Sequence, residues 1–431
     1  MKHSQTSTTF KPVALAAAIL VTSMASTAFA EGAVDTAAEI AALKSELAQL
    51  RQLVNQNAGV QQTNATKLAK VEEKIATSFN EPTSTTGARP ITARMGGVDV
   101  RLFGSFDTYV ENQDTGAGVV NRLVSSGSGN SQLGFDAKKD LGDGLTAFGD
   151  LRLSYQLDNG KTNSTARTFN TGVVGLSKDK WGTLQVGRMG TQVGEVLSNF
   201  KLIRVGTGNF IYNPFTTLTH DNVLKYTSPT FSNFQVSLTD EFGETAGDAS
   251  KGSGSSALLK YDNGKTLVLG GIFTSNAPTD IATAKDKVTI TSIGASHDFG
   301  FVKPFLVMQQ ATSDLSPKSL DQTGWYAGVD MPVGPGTLRL EYESVKNSAW
   351  SNADAHSANI RYDWLLSPGV MVYTTYTKIF NDSSVYYPIV GTGGFAAVPQ
   401  LAAANPLNPT FNTSLNGASP TALGVGIKFE F

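Results

Sequence analysis

The sequence predicts an all-β transmembrane barrel of 16 antiparallel strands, preceded by an N-terminal α-helical coiled coil. Three observations predict it. From residue 98 onward apolar residues recur with period two over stretches of about ten residues; the connections between those stretches alternate short and long; and ahead of them one heptad register persists for about six repeats.

The elements follow in chain order. Residues 1–30 read as an export leader: Lys2 and Lys11 flank the start of the apolar run VALAAAILV, and Ala28-Phe29-Ala30 is a small-x-small cleavage site before Glu31. The apolar run is shorter than the ~20 residues a spanning helix needs, so the mature chain is expected to be exported. Without the leader, 32 bases face 36 acids. That near balance lacks the basic field a nucleic-acid binder requires. The absence of cysteine excludes disulfide frameworks and zinc–cysteine sites.

Residues 31–79 are assigned to a coiled-coil helix expected in the periplasm. With Ile40 at heptad position a, that position holds Ile40, Leu47, Val54, Gln61, Leu68 and Ile75, and position d holds Leu43, Leu50, Asn57, Asn64, Val71 and Ser78. The flanking pairs Glu39–Lys44, Glu46–Arg51 and Lys67–Glu72 are opposite in sign. Polar middle layers weaken such a seam but fix its register. Residues 80–97, NEPTSTTGARPITARMGG, break the period with Pro, Gly and Thr and read as a linker.

Residues 98–431 are assigned to the barrel. In VDVRLFGSFDTYV, Val98, Val100, Leu102, Phe106 and Val110 share one face while Asp99, Arg101, Ser105, Asp107 and Tyr109 share the other. Soluble strands average about five or six residues, whereas a tilted membrane-crossing strand needs ~9–11. Strands are expected to begin near 98, 130, 144, 166, 182, 221, 233, 254, 265, 286, 300, 322, 336, 354, 369 and 420. Turn chemistry marks the short connections DLGDG, KDKWG, SPTFSN, DNGK, HDFG, PVGPG and LLSPG. Longer loops span 112–129, 159–165, 190–220, 244–253, 276–285, 313–321 and 382–419, with a weaker one at 349–353. Short turns on one side and long loops on the other characterise an outer-membrane barrel, in which closure leaves no strand edge in lipid. The terminal TALGVGIKFEF then turns Leu423, Val425, Ile427 and Phe429 to hydrocarbon and closes against the first strand. Trp181, Tyr226, Trp325, Trp364 and Tyr376, at strand ends, are expected in interfacial girdles.

Catalytic readings find little support. His220, His297 and His356 form no i, i+4 pair, and His297 reads as a polar turn residue. Asn159-Gly160-Lys161-Thr162 and Asn263-Gly264-Lys265-Thr266 lack the glycine five residues earlier that a phosphate loop requires, and read as turns. No enzyme activity, metal or cofactor is expected.

The segments RLFGSFDTYVE, SGNSQLGFDAKKDLGDGLTAFGDL, FNTGVVGLSKDKWGTLQVGRMGT and HDNVLKYTSPTFSNFQVSLTDEFGE, with the terminal phenylalanine, resemble the trimeric general porins of Gram-negative outer membranes. The resemblance implies a homotrimer in outer-membrane lipid and lipopolysaccharide, one water-filled channel per subunit, and a third loop folded inward, here 190–220. It implies that Phe431 addresses the barrel-assembly machinery. Gln132 and Asp136 stand where the family's strand motif has bases, and Arg152 where it has an acid. Arg188 matches the arginine that opens the constriction loop, and His220 another basic wall position. The loop retains Glu195 as its single carboxylate, beside Lys201 and Arg204.

These eight residues are the expected constriction. Alternation places Gln132, Asp136 and Arg152 in the lumen, with Gln132 opposite Arg152, while Arg188 shares parity with Leu184 and Val186 and needs a bulge to turn inward. With part of the basic side kept and much of the acidic side lost, the resemblance implies a weakened, mildly cation-repelling eyelet for passive diffusion of small hydrophilic solutes. The alternatives are a channel preferring sugars or small carboxylates, and an added envelope-tethering role in which the coiled coil meets peptidoglycan.

Overall fold

The computed structural model describes residues 36–78, 86–162, 169–200, 219–276, 287–314, 321–348, 351–389 and 415–431. The expected leader lies outside them, as do Lys201 and Arg204.

The amino-terminal unit is one helix, α1 (Thr36–Ser78), of 43 residues, about 65 Å long at 1.5 Å per residue. Its a and d side chains Leu43, Leu47, Leu50 and Val54 are exposed along one stripe.

The second unit is a sheet of strands β1 (Ile91–Met95), β2 (Val98–Asp114), β3 (Val119–Ser125), β4 (Ser131–Gly142), β5 (Leu145–Tyr155), β6 (Thr171–Lys178), β7 (Gly182–Gly190), β8 (Thr219–Thr227) and β9 (Phe234–Glu241). It continues through β10 (Gly254–Asp262), β11 (Thr266–Asn276), β12 (Lys287–His297), β13 (Lys303–Ser313), β14 (Gln322–Val333), β15 (Gly336–Asn347), β16 (Ala355–Ser367), β17 (Val370–Asn381) and β18 (Thr421–Glu430). Every pairing is antiparallel. β2 pairs β4, each later strand pairs the next, and β18 returns to β2, so 16 strands close a barrel. Closure satisfies the backbone within the wall, as a membrane demands.

The two remaining strands complete the edges of β2. On one edge, β3 covers Thr108–Asp114 and β4 covers Val98–Ser105. On the other, β18 covers Ser105–Asp114 and β1 covers Val98–Leu102. Between them, Gly104 and Phe431 exchange both backbone hydrogen bonds, at 2.8 and 3.0 Å. β1 falls inside the segment expected to be a linker. Its five residues alternate, and Gly96 and Gly97, both at positive φ, make the two-residue turn into β2.

Side chains follow the predicted alternation. In β18, Leu423, Val425, Ile427 and Phe429 are exposed outward while Ala422, Gly424, Gly426 and Lys428 are buried inward. Outside the seam, Phe106 packs 5.7 Å from Phe431 and 6.2 Å from Phe429 between ring centroids. The strand expected near 166 begins at Thr171, residues 163–168 lying outside those described. Both Asn-Gly-Lys-Thr segments are turns: Asn159 accepts the Lys161 amide at 2.9 Å, and Asn263 accepts those of Lys265 and Thr266 at 3.1 and 2.7 Å. His297 ends β12, bonded to Thr266 at 2.7 Å.

A loop helix inside the barrel wall

The connection from β7 to β8 opens with a second helix, α2 (Gln192–Phe200). Thr191 caps it, its hydroxyl accepting the Gly194 amide at 3.0 Å. Val193, Val196, Leu197 and Phe200 recur at helical spacing and are all buried. They pack on the inward side chains of the wall: Leu258 of β10, Leu269 and Phe273 of β11, Ile290 of β12, Phe305 and Val307 of β13 and Tyr326 of β14.

That part of the wall is therefore apolar on its inner face as well as its outer one. The Tyr326 hydroxyl donates to the Leu197 carbonyl at 3.0 Å. Gly294 gives the helix its seat, since a Cβ there would lie 2.4 Å from the Phe200 ring. Glu195, Ser198 and Asn199 occupy the other face of α2.

Glu195 meets the wall through Lys225 of β8, Nζ to Oε2 at 3.3 Å. Lys225 was not among the expected site residues, although its place between the outward Leu224 and Tyr226 was open to the same alternation. His220 lies within β8 and donates from Nδ1 to Glu241 of β9 at 2.7 Å, with its ring edge-on to Phe273 at 5.0 Å.

The expected bulge is present, but on the other strand. Register shifts between Gly187 and Met189, and the extra residue is on β8, where Asn222 has φ 57°. Arg188 bonds Asp221 at 2.6 Å and Thr219 at 2.7 Å, the two residues that flank inward His220. By alternation it stays on the face of Leu184 and Val186. Gln185 and Met189, in contact at 3.2 Å, form the other row.

On β2, β4 and β5 the inward residues form a charge ladder. Arg101 Nε donates to Asp136 at 2.6 Å, Arg152 Nε to Asp150 at 3.0 Å, and Asp136 is paired across the strands with Asp150. The guanidinium groups of Arg101 and Arg152 lie 5.0 and 5.3 Å from the Phe103 ring centroid.

Gln132 is not opposite Arg152. It pairs with Ser154, and Arg152 faces Gly134. The hairpin reverses at Asp143-Gly144, both at positive φ and later than the expected 140–143, and an irregularity of one residue between Asp140 and Gly142 offsets part of that displacement, so Gln132 lies two residues from the expected pairing. Gly134 is needed there because Phe103 fills its side-chain space; a Cβ would lie 2.1 Å from the ring. Of the expected residues, the structure joins Asp136 with Arg152 in one ladder, and Glu195 and His220 each with a wall partner. Alternation alone could have found Arg101, Asp150, Lys225 and Glu241.

A family model described as Gram-negative porin matches residues 14–384. An outer membrane porin protein of Bordetella pertussis is 23% identical over 231 residues, which are 49% of this chain and 57% of that one. The match thus spans little more than half the length of this relative. Among solved structures, the anion-selective porin from Comamonas acidovorans superposes with a TM-score of 0.66 at 23% identity, over 78% of this chain and all of the other. OmpT of Vibrio cholerae gives 0.58 at 16% identity, over 79% and 99%. Salmonella typhi OmpF, solved with daunomycin, gives 0.58 at 13% identity, over 79% and 100%.

Proposed function

Because the chain belongs to the Gram-negative porin family, we propose that it is a water-filled outer-membrane channel through which small hydrophilic solutes and ions diffuse passively, without a chemical step. The observation that carries this reading is α2 within a closed barrel. The helix covers the inner face of β10 to β14 and leaves the polar ladder of β2, β4 and β5 for the aqueous path.

The described charges near that path are matched in sign. Lys225 has Glu195, Arg101 has Asp136 and Arg152 has Asp150, while His220 is hydrogen-bonded to Glu241. Pairing of this kind leaves little transverse field to sort solutes by charge. Selection by size with a mild cation-repelling bias is the result, Lys201 and Arg204 adding base without acid. Of the eight expected residues, Glu195, Asp136, Arg152 and His220 are the working set, with Gln132 a neutral neighbour. Arg188, paired with Asp221 on the face of Leu184 and Val186, stands outside that set.

Three subunits are proposed per assembly, as the exposed seam of α1 suits a parallel coiled coil of identical chains. The rod precedes the strand end that carries the short turns, which is the periplasmic side of such barrels. It is proposed to lie there as an envelope tether, peptidoglycan being its partner. Reversal potentials in a salt gradient across planar bilayers test the channel reading. Weak anion preference with linear, size-limited permeation is expected, and marked cation preference or saturable block by one solute would overturn it.

A further inference from the structure

We infer that Ser126–Asn130, the segment joining β3 to β4, is a second inward-folded element that narrows the channel, and that Asp107 of β2 is the residue that positions it. The inference rests on the channel reading proposed above and adds to α2 a further part that limits solute size.

The segment reads Ser-Gly-Ser-Gly-Asn, without charge or bulk, so no apolar side chain of its own drives it against the wall. Its path is set by β2. On one edge of that strand, β3 pairs down to Thr108 and β4 pairs up to Ser105. Phe106 and Asp107 alone separate the two paired stretches, yet the chain from Ser126 to Ser131 connects them, and the surplus folds inward at mid-height.

Asp107 is fully buried and gathers the segment. Its carboxyl group accepts the Gly127 amide at 3.2 Å, the Ser128 amide at 2.7 Å and the Tyr373 hydroxyl of β17 at 2.6 Å. Its backbone carbonyl takes the Ser126 amide at 2.7 Å. From β16, Arg361 donates from Nη1 to the Gly127 carbonyl at 3.0 Å, with its guanidinium 4.3 Å from the Tyr373 ring centroid. Ser126 is held at φ 70°, a costly conformation for serine, and its hydroxyl accepts the Ser131 amide at 2.9 Å. So many fixed contacts on so small a segment mark a built element rather than a slack connection.

Tyr109, Arg361 and Tyr373 are inward residues of their strands. Gly127 lies on the two tyrosine rings, in a space a Cβ could not enter, and those rings lie in turn over the inward Gly424 and Gly426 of β18. Glycines, rings and segment thus stack in three layers from the wall toward the barrel axis. Ser126, Gly127 and Gly129 are buried, whereas Ser128 is half-buried and Asn130 exposed, so these two meet the lumen. α2 covers β10 to β14, and the segment covers β16 to β18 and β2, with β15 between them. The aqueous path is therefore bounded by folded-in chain on two sides and by the ladder on a third. A hydroxyl and an amide without charge restrict a solute by size, in keeping with the matched charges elsewhere.

The chain has no cysteine, so Ser128→Cys supplies a unique thiol. The test records single channels of the full-length S128C protein while a methanethiosulfonate bearing a trimethylammonium group is added. The thiolate attacks the reagent's sulfenyl sulfur, a disulfide forms and methanesulfinate leaves. Each modified channel should lose current in one step. S232C, in the exposed turn between β8 and β9, should gain the same mass with no step. D107A/S128C should start at higher conductance and show no step, with the heat-modifiable mobility of the barrel kept. G127A/S128C displaces the segment from its own side while leaving the wall intact, and should behave alike. Full labelling of S128C with unchanged current, or a thiol that resists the reagent in the folded protein, would overturn the segment as channel lining. An undiminished step in D107A/S128C would overturn the positioning role of Asp107, and G127A/S128C decides it where that variant fails to fold. Folded S128C that conducts nothing before the reagent is added would overturn the channel reading itself, and this inference with it.

Discussion

Phe200→Ala should release the loop helix from the inner wall and widen the channel. The ring is 2% exposed, seated over Gly294 and clustered with Leu197, Leu258, Phe305 and Tyr326. Truncating so buried a phenylalanine costs about 3–5 kcal/mol. The strand ladders lie outside the contact, so the loss falls on docking of α2 rather than on the barrel. A tenfold change per 1.4 kcal/mol makes that about two to three and a half decades in the ratio of docked to undocked helix. Single-channel recordings should show higher mean conductance and long-lived open substates, with the heat-modifiable mobility of the barrel retained. Gly294→Ala approaches the contact from the wall and should shift conductance the same way, since its Cβ would stand 2.4 Å from the ring. Gly271→Ala should do less, as Val196 stands 3.3 Å away and can yield. Traces from Phe200→Ala with the unitary conductance and noise of the unaltered channel would refute the reasoning.

Other expectations follow from separate features. Glu195→Gln leaves Lys225 without its carboxylate, so the reversal potential in a salt gradient should move toward the anion value; Lys225→Gln should move it the other way. Tyr386, in the loop after β17, donates to the Thr115 carbonyl at 2.7 Å, and burial pushes its phenol up from 10.0 to about 12. Because the folded value is the higher one, docking of that loop is complete below pH 10 and is lost as pH rises through about 12. Tyr386→Phe should remove this alkaline transition from loop proteolysis. Asp substituted at Leu47 and Leu50 should abolish cross-linking between rods while permeation is retained.

Much of the barrel was legible because its outer solvent is uniform: a strand such as β18 must alternate whatever its neighbours do. The inner face obeys no such rule. Leu269 and Phe273 point inward in a wall expected to be polar there, and the reason is α2, which ends at Phe200 and so lies far outside any local window around them. The register of β4 on β5 departs from expectation because the hairpin turns at Asp143-Gly144 rather than at 140–143, and the one irregular residue near Gly142 offsets part of that displacement. β1 escaped notice because ITARM is short and follows a proline in a polar stretch. Parity singles out Arg188, yet the adjustment lies in Asn222, on a strand that the long 190–220 connection separates from β7 in sequence. The charge partners Arg101, Asp150 and Glu241 occupy ordinary inward positions, and their significance comes from neighbours that the fold alone supplies.

β1 has a consequence for how the cylinder can be cut down. Strand β18 stops at Glu430, Phe431 beyond it pairs with Gly104, and the stretch of β2 from Val98 to Leu102 is covered on that edge by β1 alone. A shortened polypeptide starting at Val98 would keep its hoop yet bare a notch of unpaired amides and carbonyls beside the seam. Such a notch invites the corresponding ribbon of another molecule. The seam is thus fastened by β1 on one side and by Phe431 on the other, and removing the rod without damage requires a cut upstream of Thr86, which bonds both Gly369 and Glu430.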